Sequence, residues 1–210
     1  MTYYGQHKDP QVDEYLHKTF FQDQTSGFFI ECGAHDGLYD SSCRFFEELG
    51  WQGFNIEADP GLFKLLSRNR PKSTNINVGL TSQKDSRTKL EFTATMSQGR
   101  NPGHGSFTIP EDRLEGLKVH NKISKIQVDA ISLKDLLSDR KVNSVDLLVL
   151  DVEGHEAQVL EGMEGGTLPK VLCVEFPITG LEVVKDKCFK LGYSFHSCVH
   201  NNAHFVLEVK

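Results

Sequence analysis

The chain has 210 residues, 38% of them hydrophobic and 25% charged, with a formal net charge of −6. That length suits one domain over residues 1–210 with a substantial core, and the composition is that of an ordinary globular protein rather than a disordered or fibrous one. An acidic balance argues against a protein that grips phosphate backbones, and no apolar run approaches the roughly 20 residues that span a bilayer, so neither a nucleic-acid nor a membrane partner is expected.

Five cysteines stand scattered at positions 32, 43, 173, 188 and 198, without a Cys-x-x-Cys pair. Cys32 and Cys173 lie in apolar strand-like runs, where a thiol packs as a small hydrophobe. A reducing compartment fits this usage. The polar start lacks a signal-peptide core, so the expected location is cytoplasmic.

Val12, Tyr15, Leu16, Thr19 and Phe20 recur at helical spacing, and Pro10 suits a first helical turn. A helix over 10–21, within an N-terminal extension of 1–26, should pack on the sheet or cover the cleft. Residues 28–37 read as an apolar strand that ends in a glycine turn, Glu31-Cys32-Gly33-Ala34-His35-Asp36-Gly37. A helix over 38–49 is expected next, with Cys43, Phe45, Phe46 and Leu49 sharing a face. Phe54-Asn55-Ile56-Glu57 is a second strand. Asp59 then caps a helix with Pro60 at its first position, and residues 74–80 form a third strand.

Residues 81–125 read as an insertion. Within it 89–95 alternates like a half-exposed strand, and 98–107 is dense in glycine and polar groups, the chemistry of a functional loop. Residues 126–131 are strand-like, and Ser132 starts a helix. The most hydrophobic run, 145–151, reads as a central parallel strand buried on both faces. It leads into Asp151-Val152-Glu153-Gly154-His155-Glu156 and a helix to about 163. Another buried strand at 170–176 ends near Glu175, a helix covers 181–191, and 193–198 with 205–209 make an antiparallel hairpin. Such alternation predicts an α/β fold, a mostly parallel sheet with helices on both faces.

Ligands of open α/β sheets sit outside the carboxyl ends of the strands. Glu31, Glu57, Asp151 and Glu175 all stand at or near that edge. A carboxylate at Glu57 matches a vicinal ribose diol, since two oxygens can accept both hydroxyls. Glu31 either anchors the turn's own amides or holds a cationic ligand group. Crowding of Asp151, Glu153 and Glu156 raises carboxylate pKa values, which suits acid–base work or a cation. No paired Cys/His ligand motif points to a metal, and no Gly-x-Ser-x-Gly elbow points to a serine nucleophile.

The Glu31–Gly37 turn, the Phe54-Asn55-Ile56-Glu57-Ala58-Asp59-Pro60 segment and the Asp-x-Glu-Gly-x-Glu block at 151–156 together resemble the FkbM-type methyltransferase family. The resemblance runs from about Gly27 to Glu175. It implies a Rossmann-like class I fold of seven strands ending in an antiparallel hairpin, S-adenosyl-L-methionine as cofactor, and methylation of hydroxyl oxygens on sugars or secondary metabolites. By position it implies that Glu31, Gly33, Ala34, His35 and Gly37 hold the methionine part and that Glu57 takes the ribose. Ala58 and Asp59 would border the adenosine, Val78 and Gly79 would flank the adenine, and Asp151 would line the floor. His35 stands where family members commonly carry asparagine.

Transfer to a hydroxyl requires positioning and a base. Asp151 and Glu153 are the candidates, with His155 or His104 as substitutes. His104, Ser106 and Glu175 are expected on the acceptor side, where a small-molecule or carbohydrate hydroxyl would bind. The competing expectations are an NAD-dependent oxidoreductase, which the missing Gly-x-Gly-x-x-Gly turn disfavours, and a non-catalytic cofactor-binding scaffold.

Overall fold

The computed structural model describes residues 2–5, 8–96 and 103–208. Seven strands form one sheet: β1 (Phe28–Cys32), β2 (Gln52–Ile56), β3 (Thr74–Ile76), β7 (Leu147–Leu150), β8 (Val171–Glu175), β9 (Tyr193–Val199) and β10 (Asn202–Leu207). Their order is β3-β2-β1-β7-β8-β10-β9. The first five run parallel, so their carboxyl ends share one edge. β10 pairs antiparallel with β8 and with β9, which closes the sheet as the expected hairpin. This is the class I methyltransferase arrangement.

Side-chain alternation divides each central strand between two cores. Ile30, Leu148, Leu150, Leu172 and Val174 face the larger one, with Leu133, Leu137 and Val159. Phe29, Leu147, Val149, Val171 and Cys173 face the other, which is dense in rings from Phe21, Phe45, Phe46 and Trp51. Helix α1 (Val12–Phe20) inserts Val12 and Leu16 into that second core. Pro10 precedes α1 rather than standing in its first turn, because Gln11 is the N-cap.

Helix α2 (Arg44–Leu49) is shorter than the periodicity predicts. Asp36 is the reason: its Oδ1 accepts from the amides of Leu38 and Tyr39, and Asp40 is left-handed at φ +49. A short polar side chain thus holds residues 36–43 as turns against the helix. Helix α3 (Pro60–Asn69) starts as expected, with Asp59 Oδ1 accepting from Gly61 and Leu62.

The expected strand at 74–80 is two. After β3 the chain breaks at Asn77, whose side-chain amide donates to the carbonyls of Glu57 and Ala58. It resumes as β4 (Gly79–Thr81) in a separate three-stranded sheet with β5 (Thr88–Met96) and β6 (Lys122–Ser132). The strand read at 126–131 is the end of β6 and so belongs to this second sheet. The insertion also contains a helix, α4 (Glu111–His120), that periodicity missed because none of its residues is buried. Helices α5 (Leu133–Asp139), capped by Ser132, α6 (Glu156–Glu161) and α7 (Leu181–Lys190) complete the chain. Residues 98–102 of the loop and Val209 lie outside the described residues. Among the described residues no helix is long and apolar enough to cross a membrane.

Under the first turn, Arg70 at the end of α3 is 3% exposed and reaches Glu47, Ser41 Oγ at 3.0 Å and the Gly37 carbonyl at 3.2 Å. Its guanidinium also lies 3.6 Å from Glu31. Replacing one partner strands the other as a buried charge, so Arg70→Ala should cost about 3–5 kcal/mol. Urea unfolding at neutral pH measures it.

Candidate functional site

The carboxyl ends of β1, β2, β7 and β8 surround a cavity of about 300 Å³, at the lower end of small-molecule sites. Gly33 shapes its floor. Its amide donates to the Ile56 carbonyl at 3.0 Å, while the Asp151 amide donates to the Cys32 carbonyl at 3.1 Å. At φ +82, a Cβ on Gly33 would stand 1.7 Å from the Asp151 carbonyl oxygen, so only glycine lets the first turn touch the end of β7.

Glu57 stands on one wall. Its Oε2 accepts from the His35 amide at 2.9 Å and its Oε1 from the Asp59 amide at 2.8 Å. Burial pushes its carboxyl up to about 7 despite those bonds. Each oxygen keeps acceptor capacity toward the cavity. Ala58, Asp59, Val78 and Gly79 continue this wall. Gly79 lies so close to Phe107 that a Cβ would fall 2.1 Å from the ring.

Acids form the opposite wall. Burial, then the charges of Glu175 and Glu153, hold the Asp151 carboxyl well above the usual range. Asp151 therefore keeps its proton and donates it to Glu175. Glu153, left-handed at φ +55, is raised to about 7, chiefly by burial, although Arg113 Nη2 donates to its Oε2 and opposes the shift.

His35 and His104 lie on a third side. Among the described residues, both ring nitrogens of His35 and Nδ1 of His104 are buried without a hydrogen-bond partner. His35 Nδ1 is 3.4 Å from Asp36 Oδ1, an ion-pair distance without hydrogen-bond geometry. The His104 imidazole is held below its usual pKa by burial and next by Arg113. Both rings line the cavity, where an imidazole nitrogen can meet a polar ligand atom.

Five expected site residues lie behind the cavity wall rather than on it. The Glu31 carboxylate accepts from Ser41 Oγ and from the Cys43 amide, beside Arg70. It is the turn's anchor, because it shares a face of β1 with Phe29, not with Cys32, which does line the cavity. Ala34 donates its amide to the Ile56 carbonyl, and Gly37 packs on Arg70 and Leu66. Ser106 Oγ donates to the Val152 carbonyl at 3.1 Å. His155 sits between the hydroxyls of Thr81 at 3.1 Å and Thr108 at 2.8 Å, and burial lowers it to about 4. Both its nitrogens are engaged and it stays neutral, so His155 is no base for this cavity. Glu156 is likewise structural: its Oε1 accepts from the amides of Val152 and Gly154, and Thr179 donates to Oε2.

The sequence reading missed Tyr39, Asp40, Phe92, Phe107 and Asn202 on the cavity wall, and Val12 from α1. Asn202 fell in the expected 199–204 connection, whereas it is the first residue of β10 and stands opposite Glu175. Among the described residues no group of three or more His, Cys, Asp or Glu could hold a metal ion.

Seven strands in this order, closed by an antiparallel hairpin, make the class I methyltransferase fold. A TehB-like SAM-dependent methyltransferase from Corynebacterium glutamicum superposes with a TM-score of 0.52 at 10% identity, over 96% of this chain and 90% of that one. The METTL16 MTase domain gives 0.52 at 9% identity, over 93% of this chain and 65% of that one. At these identities the likeness shows the fold alone. The family comes from sequence: the methyltransferase FkbM domain model matches residues 31–181, and the chain belongs to that family. Among curated proteins no relative matches.

Proposed function

We propose that this protein binds S-adenosylmethionine and methylates a hydroxyl oxygen of a small molecule or carbohydrate, in a reducing, cytoplasmic setting that its buried free thiols favour. The observation that carries the reading is one cavity with Glu57 on one wall and Asp151, Glu153 and Glu175 on the other. Acidic groups at the acceptor side disfavour a polyphosphate substrate.

The residues present fit the cofactor. Glu57 offers acceptor oxygens to a ribose diol, and His35, whose amide Glu57 already holds, brings its ring to the same cavity. When bound, S-adenosylmethionine supplies an electrophilic methyl group on a sulfonium. Glu153, with its carboxyl near neutrality, is the group that takes the acceptor hydroxyl's proton. Asp151 and Glu175, sharing a proton, hold the floor beside it without competing for that role.

A thermal-shift series with S-adenosylmethionine, S-adenosylhomocysteine and NAD tests the cofactor. Stabilisation by the first two is expected, and stabilisation by NAD alone would replace the reading with an oxidoreductase. Binding without turnover across a screen of hydroxyl acceptors would instead favour a scaffold. Glu57→Gln sets an NH₂ against one of two backbone N–H donors and removes charge from the diol's partner. It should weaken S-adenosylmethionine binding about 10- to 100-fold by calorimetry, the size of a charged hydrogen bond.

A further inference from the structure

The turn after β7 is a socket for the insertion. Four consecutive residues of it each meet the segment at 106–113. The Val152 carbonyl accepts from Ser106 Oγ, Glu153 accepts from Arg113, and His155 Nδ1 lies 2.8 Å from Thr108 Oγ1. Gly154, at φ +101, has no room for a side chain, since a Cβ would be 3.0 Å from the Thr108 carbonyl and 2.7 Å from Ile178. Phe107 of this segment, and His104 just before it, stand on the cavity wall. Beyond it, α4 buries none of its ten residues. With only Arg113, Leu114 and Leu117 half-buried, the helix gains little from the hydrophobic effect. Among the described residues, Arg113 is the α4 side chain that hydrogen-bonds to another element.

We infer that Arg113 is a positioning residue for the transfer: it latches the 103–120 segment onto the 152–155 turn and keeps Glu153 ionised beside the acceptor. The inference rests on the functional reading above. Glu153 is faced by Arg113 from α4, Glu175 at the end of β8, Glu156 on α6 and Asp151 before it, while His104 stands beside Arg113 and Lys8 faces Glu175. Arg113 is the cation among the groups that act directly on Glu153. Without it, burial and the charges of Glu175 and Glu156 favour the protonated, inactive form.

Two measurements decide the matter. In the pH dependence of kcat, Arg113→Gln should move the acid limb up by about one pH unit, as loss of an adjacent opposite charge does, and recover most of the rate on the alkaline plateau. Arg113→Lys should keep the limb within half of that displacement. A limb that stays in place while the plateau falls would show a structural role only and overturn the coupling. Hydrogen exchange reads the latch without turnover. After correction for intrinsic rates, amides of 106–120 in the wild type should gain protection between pH 6 and pH 8, as Glu153 ionises. Glu153→Gln should show no such gain. Equal pH dependence in both proteins would overturn the latch. Failure of S-adenosylmethionine to stabilise the wild type would sink the functional reading, and the exchange result would still decide the latch.

Discussion

Glu153→Gln should lower kcat by about 10²- to 10⁴-fold, the span expected for loss of a general base, and leave the thermal shift with S-adenosylmethionine unchanged. The amide keeps the size of the side chain and can still accept from Arg113, so folding is spared. It cannot take a proton. The wild-type rate should rise with pH through about 7, because the competent form is the carboxylate and burial has raised it to that value. Below that point the rate falls about tenfold per pH unit, and the Gln variant should lose the limb altogether. Asp151→Asn is the control. Asp151 already carries its proton and donates it to Glu175, so an amide donor replaces it in kind. A larger loss in Asp151→Asn than in Glu153→Gln would move the base to Asp151 and refute the assignment.

The fold was legible wherever a strand had both faces buried or a cap had a standard partner. The runs at 28–32 and 147–150 and the Asp59 and Ser132 caps came from such signals, whereas the return strand of the hairpin, expected at 205–209, is Asn202–Leu207. Helix α4 was not legible, because periodicity reports a buried face and α4 has none. The break at Asn77 was hidden for a different reason. Alternation of Thr74, Ile76, Val78 and Leu80 reads as one strand, and the tertiary bonds from Asn77 to the end of β2 divert the chain to a second sheet.

The candidate site divides along a similar line. Strand ends placed Glu31, Glu57, Asp151 and Glu175 at one edge, and the structure brings all of these but Glu31 around one cavity, with Glu153. Direction was the missing information. Six residues from Asp151 to Glu156 look like one catalytic cluster, yet Glu156 turns back to clamp the amides of Val152 and Gly154, and His155 turns away to Thr81 and Thr108. Two left-handed residues in a row, Glu153 and Gly154, reverse the chain so that neighbours in sequence face opposite ways. For Glu31 the direction was available in principle. Alternation from Phe29 puts its carboxylate on the α2 side, where Ser41 and Arg70 wait for it.

Gly33→Ala should be the most damaging small substitution in the molecule, with a loss of about 2–5 kcal/mol in urea unfolding and no measurable S-adenosylmethionine stabilisation. Two effects act on one methyl group. A left-handed φ of +82 is strained for alanine by about 1–2 kcal/mol. Its Cβ would also stand 1.7 Å from the Asp151 carbonyl oxygen, which is backbone and cannot swing aside. Relief requires β1 and β7 to part at the edge that forms the cavity floor, which breaks the bond from the Asp151 amide to the Cys32 carbonyl. Gly180→Ala separates the two effects. Gly180 has a similar φ of +91 but nothing within 4 Å of its Cβ position, so it should lose only the strain component and keep cofactor binding. Equal losses at both positions would mean that backbone strain alone, and not the contact between the first turn and Asp151, is what glycine provides at position 33.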